Sequence, residues 1–160
     1  MNFKKGRKGL VIILMGIVMT FLLVVAGCSK KAPVAVDSDH QIKLYKSELC
    51  GCCGLYGKYL EKKSYAVDVV EMDNIDPIKE KFHVPQDLRS CHTAEIGGYF
   101  VEGHIPSEAI DKLMREKPDI AGIAMPGMPS GSPGMPGAKT GDFVIYAVAK
   151  DGSTTEFMRI

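Results

Sequence analysis

Three cysteines lie within four residues of one another, Cys50, Cys52 and Cys53, in the segment SELCGCCGLYG. Cys50 and Cys53 have the C-x-x-C spacing of thiol redox pairs, and they lie between an apolar stretch and a helix-like one. The free N–H groups and the dipole at the start of a helix stabilise a thiolate. A thiolate is both the nucleophile of disulfide exchange and a ligand for soft metals. The spacing therefore predicts a redox pair, a disulfide or a metal site.

The pairing of these sulfurs is restricted by chain geometry. A bond between the neighbours Cys52 and Cys53 would be strained, because disulfides need Cα separations above about 4.4 Å. Outside this segment the chain has two more cysteines, Cys28 and Cys91. Cys28 is predicted below to carry a lipid, which leaves Cys91 as the thiol with which Cys52 could pair. Outside the cytoplasm such thiols become disulfides or metal ligands. Two structural disulfides are therefore an alternative to a metal site.

A hairpin is the clearest local signal in the chain. Two strand-like runs flank Gly97-Gly98, which suits a two-residue type I′ turn. The runs are residues 92–96 and 99–104. Counting back from this turn places Cys91 opposite His104, with Cβ atoms roughly 4.5–5.5 Å apart, so a thiol and an imidazole meet. Strict alternation sends Cys91 and His92 to opposite faces, so both can be ligands only if the strand starts irregularly.

Methionines recur in a loop of low complexity, IAMPGMPSGSPGMPGAKTG, residues 123–141. Glycine and proline exclude a helix or a central strand there, so the loop has little core for methionine to fill. The thioethers of Met125, Met128 and Met135 are soft, neutral donors that suit Cu(I). The alternative is a hydrophobic loop that packs over the domain.

The N-terminus is predicted to direct export. Basic residues at positions 4–8 precede an almost continuously apolar run, residues 10–26, and small residues follow. The sequence VAGC, ending at Cys28, resembles the lipobox of bacterial lipoproteins, in which the cysteine is lipidated. The run is close to the ~18 residues that can span a bilayer, so an uncleaved anchor is the alternative.

These features divide the chain into a lipoprotein signal peptide (1–27), a small, charged, proline-containing tether (28–40) and one domain (41–160). The whole chain carries a net charge of +1. Removing the four basic residues of the signal leaves 16 of the 20 basic residues against 19 acidic ones, or about −3. Nothing in this balance favours a nucleic-acid partner.

Periodicity and turn residues predict the elements of the domain. Tyr65 to Met72 is rich in valine and is expected to be a mostly buried strand. Asp76 and Ser107 are expected to cap two helices. The predicted elements are strands 42–46 and 65–72, helices 51–63, 76–82 and 107–117, the hairpin 92–104, and a closing hairpin of 143–149 and 153–160. This order predicts an α/β, thioredoxin-like fold: a mixed sheet with flanking helices and an added C-terminal hairpin. In such folds the loop before the third strand, here Arg89-Ser90-Cys91-His92, packs against the C-x-x-C segment.

Three motifs together, CGCC, SCHTAEIGGYFVEGHIP and AMPGMPSGSPGM, resemble a family of small exported proteins, predicted to bind metals, that includes the copper-resistance protein CopG. The resemblance covers roughly residues 40–150. It implies a thioredoxin-like fold and copper bound through cysteines, as a thiolate-bridged, redox-capable cluster of several ions. The positions that it implies are Cys50, Cys52, Cys53, Cys91, His92, His104, Met125 and Met128.

The hypothesis that follows is a lipid-anchored protein of the cell envelope, facing outside the cytoplasm, that binds Cu(I) and Cu(II) in copper handling or resistance. Its expected partners are copper ions, the membrane and a copper-transfer protein. A thiol–disulfide oxidoreductase using Cys50 and Cys53, and a non-catalytic lipoprotein with two disulfides, are the alternatives. The sequence leaves open whether the protein is an enzyme, as a copper or thiol oxidoreductase.

Overall fold

The computed structural model describes residues 40–160. The predicted signal peptide, the lipidation site Cys28 and all of the predicted tether except His40 lie outside the described residues, and they stay predictions. Within residues 40–160, no helix is both long enough and apolar enough to cross a membrane.

The fold is built on one sheet of seven strands in the order β2-β1-β3-β4-β5-β6-β7. The strands are β1 (Gln41–Ser47), β2 (Ala66–Met72), β3 (His92–Ile96), β4 (Tyr99–Glu102), β5 (Gly122–Ala124), β6 (Val144–Val148) and β7 (Thr154–Arg159). The pairs β1–β2 and β4–β5 are parallel, and the other neighbouring pairs are antiparallel. This mixed sheet confirms the predicted thioredoxin-like, α/β class.

Helices cover both faces of the sheet. They are α1 (Gly51–Lys62), α2 (Asp76–Lys81) and α3 (Ser107–Glu116), and a short 3-10 turn spans Gln86–Leu88. Helix α1 is the crossover between the parallel strands β1 and β2, a connection that such strands require. The larger core contains buried side chains of α1 and α3, including Tyr56, Leu60, Ile110 and Leu113. A smaller core on the other face contains Val84, Leu88, Phe100, Ala124 and Val148.

The hairpin of β3 and β4 has the predicted register. Ile96 pairs with Tyr99 and Ala94 with Val101 across the turn. Gly97 and Gly98 both have positive φ, at 54° and 87°, as a type I′ turn requires. The closing hairpin of β6 and β7 is also confirmed, with Val148 paired with Thr154.

Two expectations about strands are wrong. No residue within β2 is buried, because the strand lies at the edge of the sheet and β-branched residues favour strands whether or not they are buried. Ile123 and Ala124, the first two residues of the predicted loop, belong to β5 (Gly122–Ala124) in the interior of the sheet. The glycine and proline punctuation that excludes a strand starts only after Ala124, so the strand is limited to three residues.

Two helix starts are displaced by one residue from the prediction. Asp76 and Ser107 are the first residues of α2 and α3, and the capping positions are Ile75 and Pro106. At α2 the side chain of Asn74 accepts a hydrogen bond from the Asp76 N–H group at 2.9 Å. A side-chain oxygen still satisfies a free N–H group at this end, although it comes from a different residue.

Candidate metal centre

Four sulfurs meet where α1 begins. Cys50 and Cys53 form a disulfide, and Cys52 and Cys91 are free. The Sγ atom of Cys52 lies 3.5 Å from that of Cys50, and the Sγ atom of Cys91 lies 3.5 Å from that of Cys53. The CGCC segment and the Ser90-Cys91-His92 segment therefore share one site, although 38 residues separate Cys53 from Cys91.

Cys91 also contacts two imidazoles. Its Sγ atom lies 3.4 Å from Nδ1 of His92 and 3.4 Å from Nε2 of His104. Strand β3 begins only at His92, and Cys91 lies in a bend before it. This irregular start lets neighbouring residues turn to the same site, which strict strand alternation forbids. The expected meeting of Cys91 with His104 is confirmed as geometry.

A backbone carbonyl sets the tautomer of His104. Its Nδ1 atom lies 2.7 Å from the carbonyl oxygen of Pro133, which can only accept a hydrogen bond. Nδ1 therefore carries the proton, and Nε2 presents its lone pair towards Cys91. Histidines that bind metals commonly donate the other ring N–H group to such an acceptor.

His92 is fully buried and incompletely satisfied. Among the described residues, its Nε2 atom has no hydrogen-bond partner. The ring packs against Tyr56, with centroids 4.6 Å apart, and edge-on against His104 at 4.8 Å. Burial, followed by the neighbouring His104 and Lys79, lowers the pKa of His92 to about 3. A buried, neutral imidazole with an unused polar atom is what a metal ligand needs before the metal arrives.

The thiol of Cys91 is protonated at neutral pH. Burial, followed by the nearby Cys52 sulfur, raises the pKa of Cys91 to about 11. Burial also lowers the pKa of His104. A metal ion must therefore displace a proton from Cys91, whereas the imidazoles are already deprotonated. Metal binding to this set is coupled to proton release.

A buried ion pair on the opposite face of the sheet supports the bend. Glu102 and Lys79 are both buried, with Oε1 and Nζ 2.5 Å apart. The Thr93 hydroxyl donates to Oε2 of Glu102 at 2.6 Å, and the Ser90 N–H group donates to Oε1 at 2.5 Å. Burial raises the pKa of the Glu102 carboxyl, and these three donors oppose that shift. Glu102 thus holds Ser90, the residue immediately before Cys91.

The glycine- and proline-rich loop lies against the start of α1. A Cβ atom on Gly134 would come within 2.7 Å of the Tyr56 nitrogen and 3.0 Å of the Cys52 carbonyl oxygen. Met125 is buried in the larger core, so it fills core space as methionine commonly does. Met128 is 41% exposed. Ligation by either thioether stays a prediction.

Several residues of the site have a role that the sequence did not predict. Pro133, Glu102 and Tyr56 contact or support the ligand candidates, but each looks in the sequence like an ordinary loop, strand or helix residue. One signal was available for Glu102: a charged residue at a strand position whose neighbours Phe100 and Val101 are apolar. A buried charge of this kind needs a partner, and buried ionic groups often support a site.

Two overlapping groups of side chains could hold a metal ion. One group is Cys50, Cys52, Cys53 and Cys91, and the other is Cys91, His92 and His104. Within each group the candidate ligand atoms all lie within 4.8 Å of one another. Sulfur and imidazole are soft to borderline donors, and they suit copper or zinc rather than calcium or magnesium.

Comparison with known proteins identifies the family of the chain. Two solved structures, described as "Copper resistance protein copG", Form 1 and Form 2, are 36% and 38% identical in sequence to the chain. Each alignment covers 75% of this chain and 96% or 97% of the other, with TM-scores of 0.70 and 0.69. The chain belongs to the CopG family.

The CopG family match extends over the domain. The sequence profile of a family described as "protein of unknown function, DUF411" matches residues 88–135, which include Cys91, His92 and His104. No curated protein matches the chain. The CopG structures extend the similarity to three quarters of the chain, beyond the segment that the profile covers.

Proposed function

We propose that this protein is a copper-binding lipoprotein of the cell envelope that acts in copper handling or resistance. The observation that carries the proposal is the position of Cys91. Its sulfur lies 3.5 Å from Cys53 Sγ and 3.4 Å from a nitrogen of both His92 and His104. One sulfur thus belongs to both groups of candidate ligands.

Copper is favoured over zinc by two considerations. The CopG proteins with similar structures are described as copper resistance proteins. Thiolate ligands favour Cu(I), and N/S sites bind Cu(II) more strongly than Zn(II) in the usual affinity order. Thioethers of Met125 and Met128 would add to this preference if the loop brings them to the metal.

The shared sulfur favours a site for more than one ion. A deprotonated Cys91 would serve both the cysteine group and the group that contains His92 and His104. Copper ions held by the two groups would supply one-electron chemistry between Cu(I) and Cu(II). Binding of more than one copper ion is therefore part of the proposed function.

The test is an anaerobic titration of the reduced full chain with Cu(I), in competition with a chromogenic Cu(I) chelator. We expect Cys91→Ser to weaken Cu(I) binding by tenfold or more, because it removes the sulfur shared by both ligand groups. Cys28→Ser is the matched control, because it removes the cysteine that is proposed to carry the lipid rather than a candidate ligand. Equal affinities of the unchanged chain and Cys91→Ser would contradict the proposal.

A thiol–disulfide oxidoreductase is the second candidate, favoured by the Cys50–Cys53 disulfide at the start of α1. The two free thiols argue against it, because a thiol 3.5 Å away would intercept mixed disulfides. This candidate predicts metal-free reduction of insulin disulfides that Cys50→Ser abolishes. No reduction by the metal-free chain would exclude it.

A further inference from the structure

The four sulfurs form a compact cluster, in which all lie within 4.8 Å of one another. Cys52 and Cys91 lie 3.5 Å from Cys50 and Cys53 respectively, and a disulfide joins Cys50 to Cys53. One pair is therefore linked, while Cys52 and Cys91 stay free and in contact with it. The cluster can hold two electrons more in its dithiol form than in this disulfide form.

The disulfide affects the two ligand groups differently. Linking Cys50 to Cys53 removes two of the four sulfurs from the first group as thiolate donors. The group of Cys91, His92 and His104 contains neither of them, so it keeps all its donors. The oxidised protein therefore retains a soft set with an oriented His104 and the unpartnered nitrogen of His92.

We propose, building on the copper-binding function, that the Cys50–Cys53 dithiol reduces Cu(II) to Cu(I) within the site. The two thiols lose two protons to solvent and two electrons as the S–S bond forms. Two Cu(II) ions each accept one electron and become two Cu(I) ions. Cys52, Cys91 and the two imidazoles keep the product, and their soft donors favour it over Cu(II).

Burial determines how the dithiol is regenerated. Cys50 is partly exposed, whereas Cys53 is completely buried. An external thiol reductant can therefore attack Cys50 and release Cys53 as the leaving thiolate. The reductant is a dithiol: its second thiol displaces Cys50 before Cys52 attacks the mixed disulfide, so the reductant leaves as a disulfide with both electrons transferred.

The test uses the full chain, reduced, freed of metal and mixed anaerobically with two equivalents of Cu(II). We expect the Cu(II) electron paramagnetic resonance signal to disappear. After the copper is removed and free thiols are alkylated, peptide mass spectrometry should find a Cys50–Cys53 disulfide with Cys52 and Cys91 alkylated. A persistent Cu(II) signal with Cys50, Cys52, Cys53 and Cys91 all alkylated would overturn the proposal, and so would a disulfide between any other pair of these four.

Two further samples strengthen the test. Cys50→Ser should slow the loss of the Cu(II) signal by tenfold or more, whereas Leu49→Ala, a change at the exposed neighbouring side chain, should not. Unchanged chain with the disulfide already formed should bind added Cu(I) but reduce no Cu(II). Equal rates for Cys50→Ser and Leu49→Ala would contradict the assignment of the electron donors.

The outcome is separable from that of the copper-binding proposal. If the chain binds Cu(I) tightly but its thiols leave Cu(II) unreduced, this inference fails and copper binding stands. If Cu(II) is reduced and all the Cu(I) passes to a weak chelator, the dithiol chemistry stands and copper binding fails.

Discussion

Cys91 connects the two halves of the site, and its neighbour His92 supplies the most buried ligand candidate. Both residues depend on a bend before β3 rather than on regular strand geometry. Their side chains also share one physical condition, because burial disfavours the charged form of each. His92 is held neutral with a pKa of about 3, and Cys91 is held as a thiol with a pKa of about 11.

The buried His92 predicts a loss of stability in acid. The unfolded chain protonates this imidazole below pH 6.5, whereas the folded protein keeps it neutral down to about pH 3. The folded state binds fewer protons in that interval. As the pH falls from about 6.5 to about 3, His92 alone should therefore lower the free energy of unfolding of the metal-free protein. The expected loss is about 1.4 kcal/mol for each pH unit of acidification.

Urea unfolding at a series of pH values measures this slope. His92→Asn removes the titrating group, so its unfolding free energy should fall less steeply between these pH limits. Parallel pH profiles for the unchanged chain and the variant would show that His92 is not the source.

At the scale of elements, the site depends on α2 behind the sheet as well as on α1 in front of it. Lys79 of α2 pairs with Glu102 of β4, and the same carboxylate holds the backbone of Ser90. Elements on both faces of the sheet therefore control the bend that carries Cys91.

The first prediction at this scale concerns that ion pair. Glu102→Gln leaves the Lys79 ammonium buried without a counter-charge, so we expect the free energy of unfolding to fall by about 3–5 kcal/mol. Glu95→Gln is the control, because Glu95 pairs with the exposed Lys81 in the same region. That change should cost less than about 1 kcal/mol. Denaturant unfolding measures the free energy of unfolding of both variants. Similar losses in the two would show that burial of the Lys79–Glu102 pair is unimportant.

The second prediction concerns the loop over α1. Gly134 has a φ of 81° and no room for a Cβ atom beside Tyr56, whereas Gly127 has a φ of 82° and open space around it. Gly127→Ala should lose only about 1–2 kcal/mol from the left-handed conformation. Gly134→Ala should lose about 1–3 kcal/mol more from the clash with the helix backbone.

Thermal or urea unfolding of the two alanine variants separates these contributions. The comparison is direct because both glycines have nearly the same φ. If Gly134→Ala is no less stable than Gly127→Ala, the loop does not pack against the start of α1 as described.

At the scale of the whole molecule, the proposal joins a metal-binding domain to a lipid anchor. The structure describes the domain over residues 40–160. The anchor is predicted from the VAGC sequence alone. The prediction is that Cys28→Ala abolishes lipid attachment and shifts the protein from the membrane to the soluble fraction of the envelope. Metabolic labelling with a fatty acid and fractionation of cells measure both effects.

An unlabelled natural protein would contradict the lipoprotein part of the proposal. If the natural protein and the Cys28→Ala variant are labelled equally, the lipid is attached at another residue. Neither result tests the copper chemistry, because both groups of candidate ligands lie within residues 40–160.

The features that depend on local chain properties could be predicted from the amino-acid sequence. The Gly97-Gly98 turn specifies the register of β3 against β4, and continuing this register beyond the strands predicts that Cys91 meets His104. The alternation of β1 and the periodicity of α1 and α3 likewise identify the strand–helix–strand unit and the later helix. Each of these patterns involves residues that are close together in the sequence.

The other contacts of the site became visible only in the folded protein, because they join residues that are distant in the chain. The approach of Cys91 to Cys53 was expected only by analogy with the fold. The Pro133 carbonyl that orients His104 and the Glu102 carboxylate behind the bend were not expected at all. Their identities as supporting residues come from packing across the sheet and from burial, which no local pattern encodes.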